Sequence, residues 1–174
     1  MLQIIAIAVV GAVGAVVGLA ARKPNTFRVE RSETIDAPPD QIIALLEDFR
    51  RWGEWSPWEK LDPDMKRTHS GAPKGIGAVY AWAGNSKAGA GRMEITESSP
   101  SQVTLKLDFT KPFEAHNIVE FKLQPQGNAT NVTWSMYGPS PFITKLFMVF
   151  MSMEKMVGKD FAAGFANMKK AVGA

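Results

Sequence analysis

Few side chains in this sequence carry the chemistry that catalysis or metal binding requires. The chain has two histidines, His69 and His116, and no cysteine, so disulfides, thiol nucleophiles and cysteine–zinc sites are excluded. Two separated histidines without cysteine do not predict a zinc site. The sequence has no G-x-S-x-G or H-E-x-x-H motif and no phosphate-binding loop. We therefore predict no catalytic residue, no metal and no cofactor.

Three polar side chains remain to be placed. His69 lies in 68-THSGAPKG-75, which reads as a turn, and we expect it to face solvent. His116 is out of phase with Val119 on a predicted strand, so it is also expected in solvent. Asn117 has the inward phase and could hold the polar group of a ligand. A buried amide that serves only the fold is the alternative.

The elements that position these residues are strands followed by a helix. Alternation predicts a strand from Phe27 to Ile35, a helix over 36–49, and then an antiparallel series with turn signals at roughly ten-residue spacing. The series comprises residues 76–84, 91–98, 102–110, 114–125 and 130–138. From Pro141 to about Val172 the apolar period becomes helical and predicts one long C-terminal helix. The predicted fold class is α+β.

The charge balance is close to neutral, because 20 basic residues face 17 acidic ones. A nucleic-acid-binding domain concentrates basic side chains on one face, so no nucleic-acid partner is predicted.

The first 23 residues predict a membrane anchor, and residues 24–174 form the second domain. Residues 2–21 carry no charge, and twenty helical residues span roughly 30 Å, the hydrocarbon thickness of a bilayer. A cleaved signal peptide that exports the protein is the alternative, although no basic residue precedes the apolar run.

The residues that follow this segment predict its orientation, and two glycines within it predict a weak self-association. Arg22 and Lys23 follow the apolar run, which favours a single-pass protein with its domain on the cytoplasmic side. Gly14 and Gly18 match a helix-dimer spacing, so a weak homodimer through the anchor is possible.

Four segments resemble a known superfamily: 34-TIDAPPDQIIALLEDFRRWGEWSPW-58, 89-GAGRMEI-95, 132-VTWSMYG-138 and 158-GKDFAAGFANMK-169. Together they resemble the START-like, helix-grip superfamily, in particular its polyketide cyclase/dehydrase-type branch, also called SRPBCC. The resemblance covers about Phe27 to Val172. It implies a curved antiparallel sheet wrapped around a long C-terminal helix, with a cavity for an apolar ligand between them.

In such a fold, the residues that alternation assigns to the inward faces would line that cavity. The tryptophan stretch 52-WGEWSPWEK-60 would lie at one end of the groove and either plug it or line its mouth. Core packing is the alternative for every candidate, because alternation assigns a face and not a depth. The candidates are Trp55, Trp58, Trp82, Phe109, Asn117, Phe121, Trp134, Met136, Phe150 and Met153.

The function predicted from these features is membrane-anchored binding of a hydrophobic small molecule or lipid. A cyclase- or dehydratase-like enzyme and a tethered protein-interaction module are the alternatives. A carrier predicts a connected apolar void, and an enzyme predicts a buried ionisable group that touches such a void. An interaction module predicts a filled core with an exposed apolar patch.

Overall fold

The computed structural model describes residues 1–173, and for residues 2–8 it describes the backbone only. Short 3-10 helices at Phe49–Arg51 and Pro57–Lys60 flank the four-residue helix Trp52–Trp55. The other elements follow in the order α1 (Leu2–Ala21), β1 (Thr26–Ile35), α2 (Pro39–Leu46), α3 (Trp52–Trp55), β2 (Lys66–Gly71), β3 (Ala78–Ala83), β4 (Ala90–Ser99), β5 (Gln102–Lys111), β6 (Ala115–Gln126), β7 (Ala129–Pro139), α4 (Phe142–Phe150) and α5 (Met153–Ala171).

The strands form one curved antiparallel sheet in the order β1-β7-β6-β5-β4-β3-β2. Apart from the polar edge strand β2, the strands alternate because one face is covered and the other is wet. On β5, for example, Val103, Leu105 and Leu107 are buried while Lys106 is exposed. The predicted α+β helix-grip fold and its antiparallel series of strands are confirmed.

Helix α5 lies against the concave face, and small residues let it approach closely. Its buried stripe includes Phe161, Phe165 and Met168. A Cβ on Gly164 would lie 2.6 Å from the Trp134 ring, so only glycine leaves room for that indole. Glycine costs a helix about 1 kcal/mol relative to alanine, and close packing with the sheet offsets this cost.

The C-terminal helix is not continuous, contrary to the sequence prediction of one long helix. Met151 adopts an extended backbone between α4 and α5, and the Ser152 side chain accepts a hydrogen bond from the Lys155 amide. Serine is a favoured N-cap residue, because its hydroxyl satisfies an amide that the new helix leaves unpaired. The break therefore starts α5 afresh and lets α4 leave the sheet.

Strand β2 was not predicted, and the interpretation of residues 68–75 as a turn was wrong for residues 68–71, which belong to this strand. Its six residues, KRTHSG, include no large apolar side chain, so they give no alternation signal. The strand is an edge that pairs only with β3, where His69 lies opposite Tyr80. His69 is therefore not a solvent residue: its Nε2 is buried and finds no hydrogen-bond partner among the described residues.

The predicted transmembrane helix is not supported. Helix α1 covers Leu2–Ala21, but the side chains of residues 2–8 lie outside those described. Among the residues that were described, no helix is both long and apolar enough to cross a membrane. Helix α1 contacts α4, and next to this contact the Lys145 ammonium donates to the Asn25 amide oxygen at 2.5 Å.

Candidate functional site

The tryptophan stretch forms part of a filled aromatic core. Trp55 and Trp134 are fully buried, and the Trp134 ring stacks on Phe161 with 4.0 Å between centroids. Phe121 closes the group at 4.9 Å from Trp134. The indole N–H of Trp55 donates to the Leu45 carbonyl at 3.3 Å, which fixes the loop. Three of the cavity candidates, Trp55, Phe121 and Trp134, are thus core residues, because their rings pack against one another and leave no space between them for a ligand.

Trp58 lies at the margin of this core. It is half-buried, and its ring meets Trp134 edge-on at 5.6 Å. Its ring lies on the outer side of the aromatic core and leaves no opening into that core for a ligand.

Trp82 and Phe109 lie toward the opposite end of the concave face, on β3 and β5. Both are half-buried, and their rings meet edge-to-face at 5.6 Å. The Trp82 indole crosses Gly91, where a Cβ would lie 2.4 Å from the ring. Its N–H donates to the Ala88 carbonyl at 3.0 Å. This aromatic pair keeps some exposed surface, unlike the Trp134 core.

Replacing Gly91 by alanine is expected to destabilise the fold by about 1–3 kcal/mol, the usual cost of overpacking a core. The new Cβ would lie 2.5 Å from the Asp108 carbonyl oxygen as well as against the Trp82 ring, so the backbone itself must move. Chemical denaturation followed by circular dichroism measures the loss. Gly53→Ala is the matched control, since a Cβ there meets no described atom within 4 Å outside its chain neighbours and its own helix backbone. Equal stabilities for the two variants would contradict this packing.

Asn117 and Met136 occupy the middle of the concave face, and both are buried. The Asn117 amide lies over Gly138, where a Cβ would sit 2.4 Å from its Oδ1. That oxygen has no hydrogen-bond partner among the described residues. Burying an acceptor without a partner costs the fold about 1–3 kcal/mol. Because the Asn117 oxygen has already lost its water, a donor on a ligand could bond to it without a further desolvation cost on the protein side.

A cleft of about 520 Å³ opens where β1 passes beneath the break between α4 and α5. Small-molecule sites usually measure roughly 300–1,000 Å³, so this cleft has the right size. Its lining consists of Lys23, Pro24, Thr26–Val29 and Met148–Lys155. Two predicted residues reach it: Met153 lies on its wall, and Phe150, which is 74% exposed, lies at its rim.

The floor of this cleft, formed by Phe27 and Val29, was not among the residues predicted from the sequence. Phe27 and Val29 are buried on the inward face of β1, and Met148 is half-buried above them. The alternation of β1 does place Phe27 and Val29 on one face. The cleft itself depends on the helix break, which was not predicted.

The rim of the cleft is basic. Lys23, Arg28 and Lys155 line it together with a single acidic residue, Glu154. Glu154 is already paired with Arg31, and Arg28 donates to Glu30 at 2.6 Å. That hydrogen bond holds the pKa of Glu30 below its usual value. Lys23 and Lys155 therefore leave a net positive potential at the opening.

A second depression, of about 290 Å³, lies beside the edge strand β2. Its lining includes the ionisable side chains of Glu59, Arg67 and Tyr80. The Tyr80 hydroxyl donates to the Glu59 carboxylate at 2.6 Å, and Arg67 donates to the other oxygen of Glu59 at 2.7 Å. Burial, together with the Glu59 bond, raises the pKa of Tyr80 above its usual value of 10.0. The phenol thus stays protonated and acts as a hydrogen-bond donor.

The raised pKa of Tyr80 predicts a loss of stability in alkali. Unfolded tyrosine loses its proton near pH 10 while the folded phenol keeps it, so the unfolded state binds fewer protons and the free energy of unfolding falls above about pH 10. Tyr80→Phe should be less stable at pH 8, because it loses the Glu59 bond, but less sensitive between pH 8 and pH 11. Urea denaturation at both pH values measures this difference. Parallel pH dependences for the two proteins would contradict the assignment.

The comparisons with known proteins agree with this architecture. The sequence model of the family described as "Polyketide cyclase / dehydrase and lipid transport" matches residues 26–173. No curated protein matches. Among solved structures, a protein from Thermobifida fusca has a TM-score of 0.61 at 20% identity, over 84% of this chain and 93% of that one.

Two further structures share the fold. The Aha1 dimer from Colwellia psychrerythraea has a TM-score of 0.58 at 15% identity, over 84% of this chain and 96% of that one. Ara h 8.0201 has a TM-score of 0.57 at 13% identity, over 84% and 97%. At these identities the likeness shows the helix-grip fold alone. The family match covers nearly the whole domain, and the chain belongs to the polyketide cyclase/dehydrase and lipid transport family of the START-like superfamily.

Proposed function

We propose that this protein binds a hydrophobic small molecule or lipid in the cleft between β1 and the α4–α5 junction. The observation that carries the proposal is the composition of that cleft: an apolar floor of Phe27 and Val29, a methionine wall and a basic rim. The family description and the fold also support binding of a hydrophobic ligand.

The chemistry of the cleft favours an amphiphile with an apolar body and an acidic head. An apolar body would lie on Phe27 and Val29, and each 100 Å² that it buries contributes about 2.5 kcal/mol before the entropic cost of binding. Met148 and Met153 have flexible, polarisable side chains that adapt to an irregular chain. Lys23 and Lys155 would meet a carboxylate or phosphate at the opening.

Asn117 extends the proposed site inward. Phe27 pairs with Gly138 across β1 and β7, and the Asn117 amide lies over that same glycine. The unpaired Asn117 oxygen, on β6, is therefore two strands away from the cleft floor on β1, with β7 between them. A hydroxyl of a ligand long enough to reach across β7 would find its acceptor there.

The N-terminal segment supports a membrane location for this binding. Its sequence is uncharged over residues 2–21, and the apolar side chains of Val9, Val10, Val13 and Leu19 are exposed. We propose that α1 holds the domain at a membrane on the cytoplasmic side, where a membrane-dissolved ligand has a high effective concentration. Extraction at alkaline pH and protease protection of the full chain test this location. Recovery of the full chain in the soluble fraction before the alkaline step would contradict it, whereas release only at alkaline pH would show that α1 lies on the membrane surface.

Photocrosslinking tests the ligand site. The full chain in nanodiscs is irradiated with a diazirine derivative of palmitic acid, and tryptic peptides are mapped by mass spectrometry. One tryptic peptide, residues 146–155, contains the methionine wall. We expect saturable labelling of Met148 or Met153 that excess oleic acid suppresses. Labelling that oleic acid does not suppress reflects bilayer contact alone and would contradict a binding site.

A further inference from the structure

Helix α4 carries an apolar surface that stays exposed among the side chains that the structure describes. Phe142, Ile143, Phe147, Phe150 and Met151 are 48–74% exposed. Phe113, in the loop between β5 and β6, is 55% exposed and meets the Phe147 ring at 5.7 Å. We call these six residues the α4 patch. Contiguous exposed aromatic surface of this kind marks an interaction site.

Helix α4 differs from a helix that covers a soluble domain, although its Met148 packs against the core. Its buried residue is Lys145, which bonds to Asn25, while its phenylalanines face outward. Leaving a phenylalanine exposed forgoes about 1.5–3 kcal/mol of burial, so a wet environment disfavours this orientation. An apolar environment outside α4 would favour it.

The charges beside the patch indicate which environment that is. Phe113 lies between Lys111 and Glu114 in the sequence, and Lys23 and Lys155 line the same cleft as Phe150 and Met151. The carboxylate that also lines this cleft, Glu154, is paired with Arg31, so the balance there is basic. An apolar helix face with basic neighbours is typical of a helix at the surface of an anionic membrane. Helix α1, with its exposed valines, contacts α4 and continues the apolar surface.

We propose that the α4 patch lies in the interfacial layer of an anionic membrane, as a second contact separate from α1. Phe150 and Met151 belong both to the patch and to the lining of the cleft, so this contact turns the mouth of the cleft toward the lipid. The inference rests on the proposed membrane location. It does not depend on ligand binding, since it concerns only which surface touches the bilayer.

The absence of cysteine in the sequence allows a direct test with single labels. Ile143→Cys and Met151→Cys, each carrying the environment-sensitive fluorophore NBD, report on the patch. Gln124→Cys is the matched control on the exposed face of β6. The full-length variants are bound to vesicles of phosphatidylcholine with and without phosphatidylglycerol. Lipids carrying doxyl quenchers then show which labels enter the bilayer.

We expect blue-shifted emission and quenching by doxyl lipids at positions 143 and 151, increased by phosphatidylglycerol, and solvent-like emission at 124. Solvent-like emission at 143 and 151 in vesicle-bound protein would overturn the proposal. A blue shift without vesicles that grows with protein concentration would also overturn it, because a second copy then covers the patch.

A charge variant separates this contact from the binding of α1. Phe147→Glu with Phe150→Glu places two carboxylates in the patch, and we expect quenching at position 143 to fall at least roughly tenfold while the chain stays on the vesicles. Ala162→Glu with Ala163→Glu, on the exposed side of α5, should leave quenching unchanged. Equal quenching in both variants would show that α1 alone positions the label. Photocrosslinking in the cleft measures ligand binding independently of these labels, so failure of the membrane contact and failure of ligand binding are distinguishable.

Discussion

Replacing Trp134 by alanine is expected to lower the free energy of unfolding by about 3–5 kcal/mol, the range for emptying a large buried aromatic site. The indole is 1% exposed and contacts Phe161, Phe121 and Trp55. None of these rings can move into the space without losing its own contacts, so a cavity remains. Urea denaturation of the full chain in mild detergent, followed by far-ultraviolet circular dichroism, measures the loss.

The control for this substitution is Trp134→Phe. The Trp134 N–H has no hydrogen-bond partner among the residues described, so phenylalanine removes an unpaired donor and keeps the stacking on Phe161. We expect a loss below about 1.5 kcal/mol, because a smaller cavity is offset by relief of the unpaired group. A Trp134→Ala protein as stable as Trp134→Phe would mean that this part of the groove is not filled.

The second large effect concerns the binding of a ligand. Met153→Glu places a carboxylate on the wall of the cleft, where it lies against the proposed apolar body and repels an acidic head. Desolvating an unpaired carboxylate costs several kcal/mol, so the affinity for the diazirine palmitate should fall at least roughly tenfold. Labelling of the peptide 146–155 as a function of probe concentration measures the change.

Met156→Glu is its matched control. Met156 is exposed, lies on α5 one turn after Met153 and does not line the cleft. The Met156→Glu substitution introduces the same charge into the same helix as Met153→Glu. A general effect of charge on α5 or on membrane attachment would therefore affect both variants equally. Equal labelling of the two would place the ligand outside the cleft.

The sequence predicted those parts of the fold that have a periodic apolar signal. The inward phase of Val103, Leu105 and Leu107 on β5 is regular because one face is dry and the other is wet. Strand β2 has no such signal, since it is a polar edge whose position depends on its partner β3. The break at Ser152 was missed because apolar residues continue on both sides, although serine is a residue type that favours a helix start.

The candidate site was less predictable, because alternation assigns a face and leaves depth unspecified. Trp134 and Trp82 both point to the concave side, yet one is enclosed by aromatic rings and the other lies half-exposed over Gly91. The cleft joins Phe27 to Met153, more than a hundred residues later. Such a contact is set by how α5 docks on the sheet, which no local pattern contains.

Native mass spectrometry of the full chain, purified in mild detergent, tests the central claim most directly. We expect a bound lipid or lipid-like mass after the detergent is removed in the gas phase, and organic extraction would identify its chemistry. Met156→Glu should retain the adduct, and Met153→Glu should lose most of it. A chain that stays empty after incubation with a membrane lipid extract, or an adduct that Met153→Glu retains in full, would contradict ligand binding in this cleft.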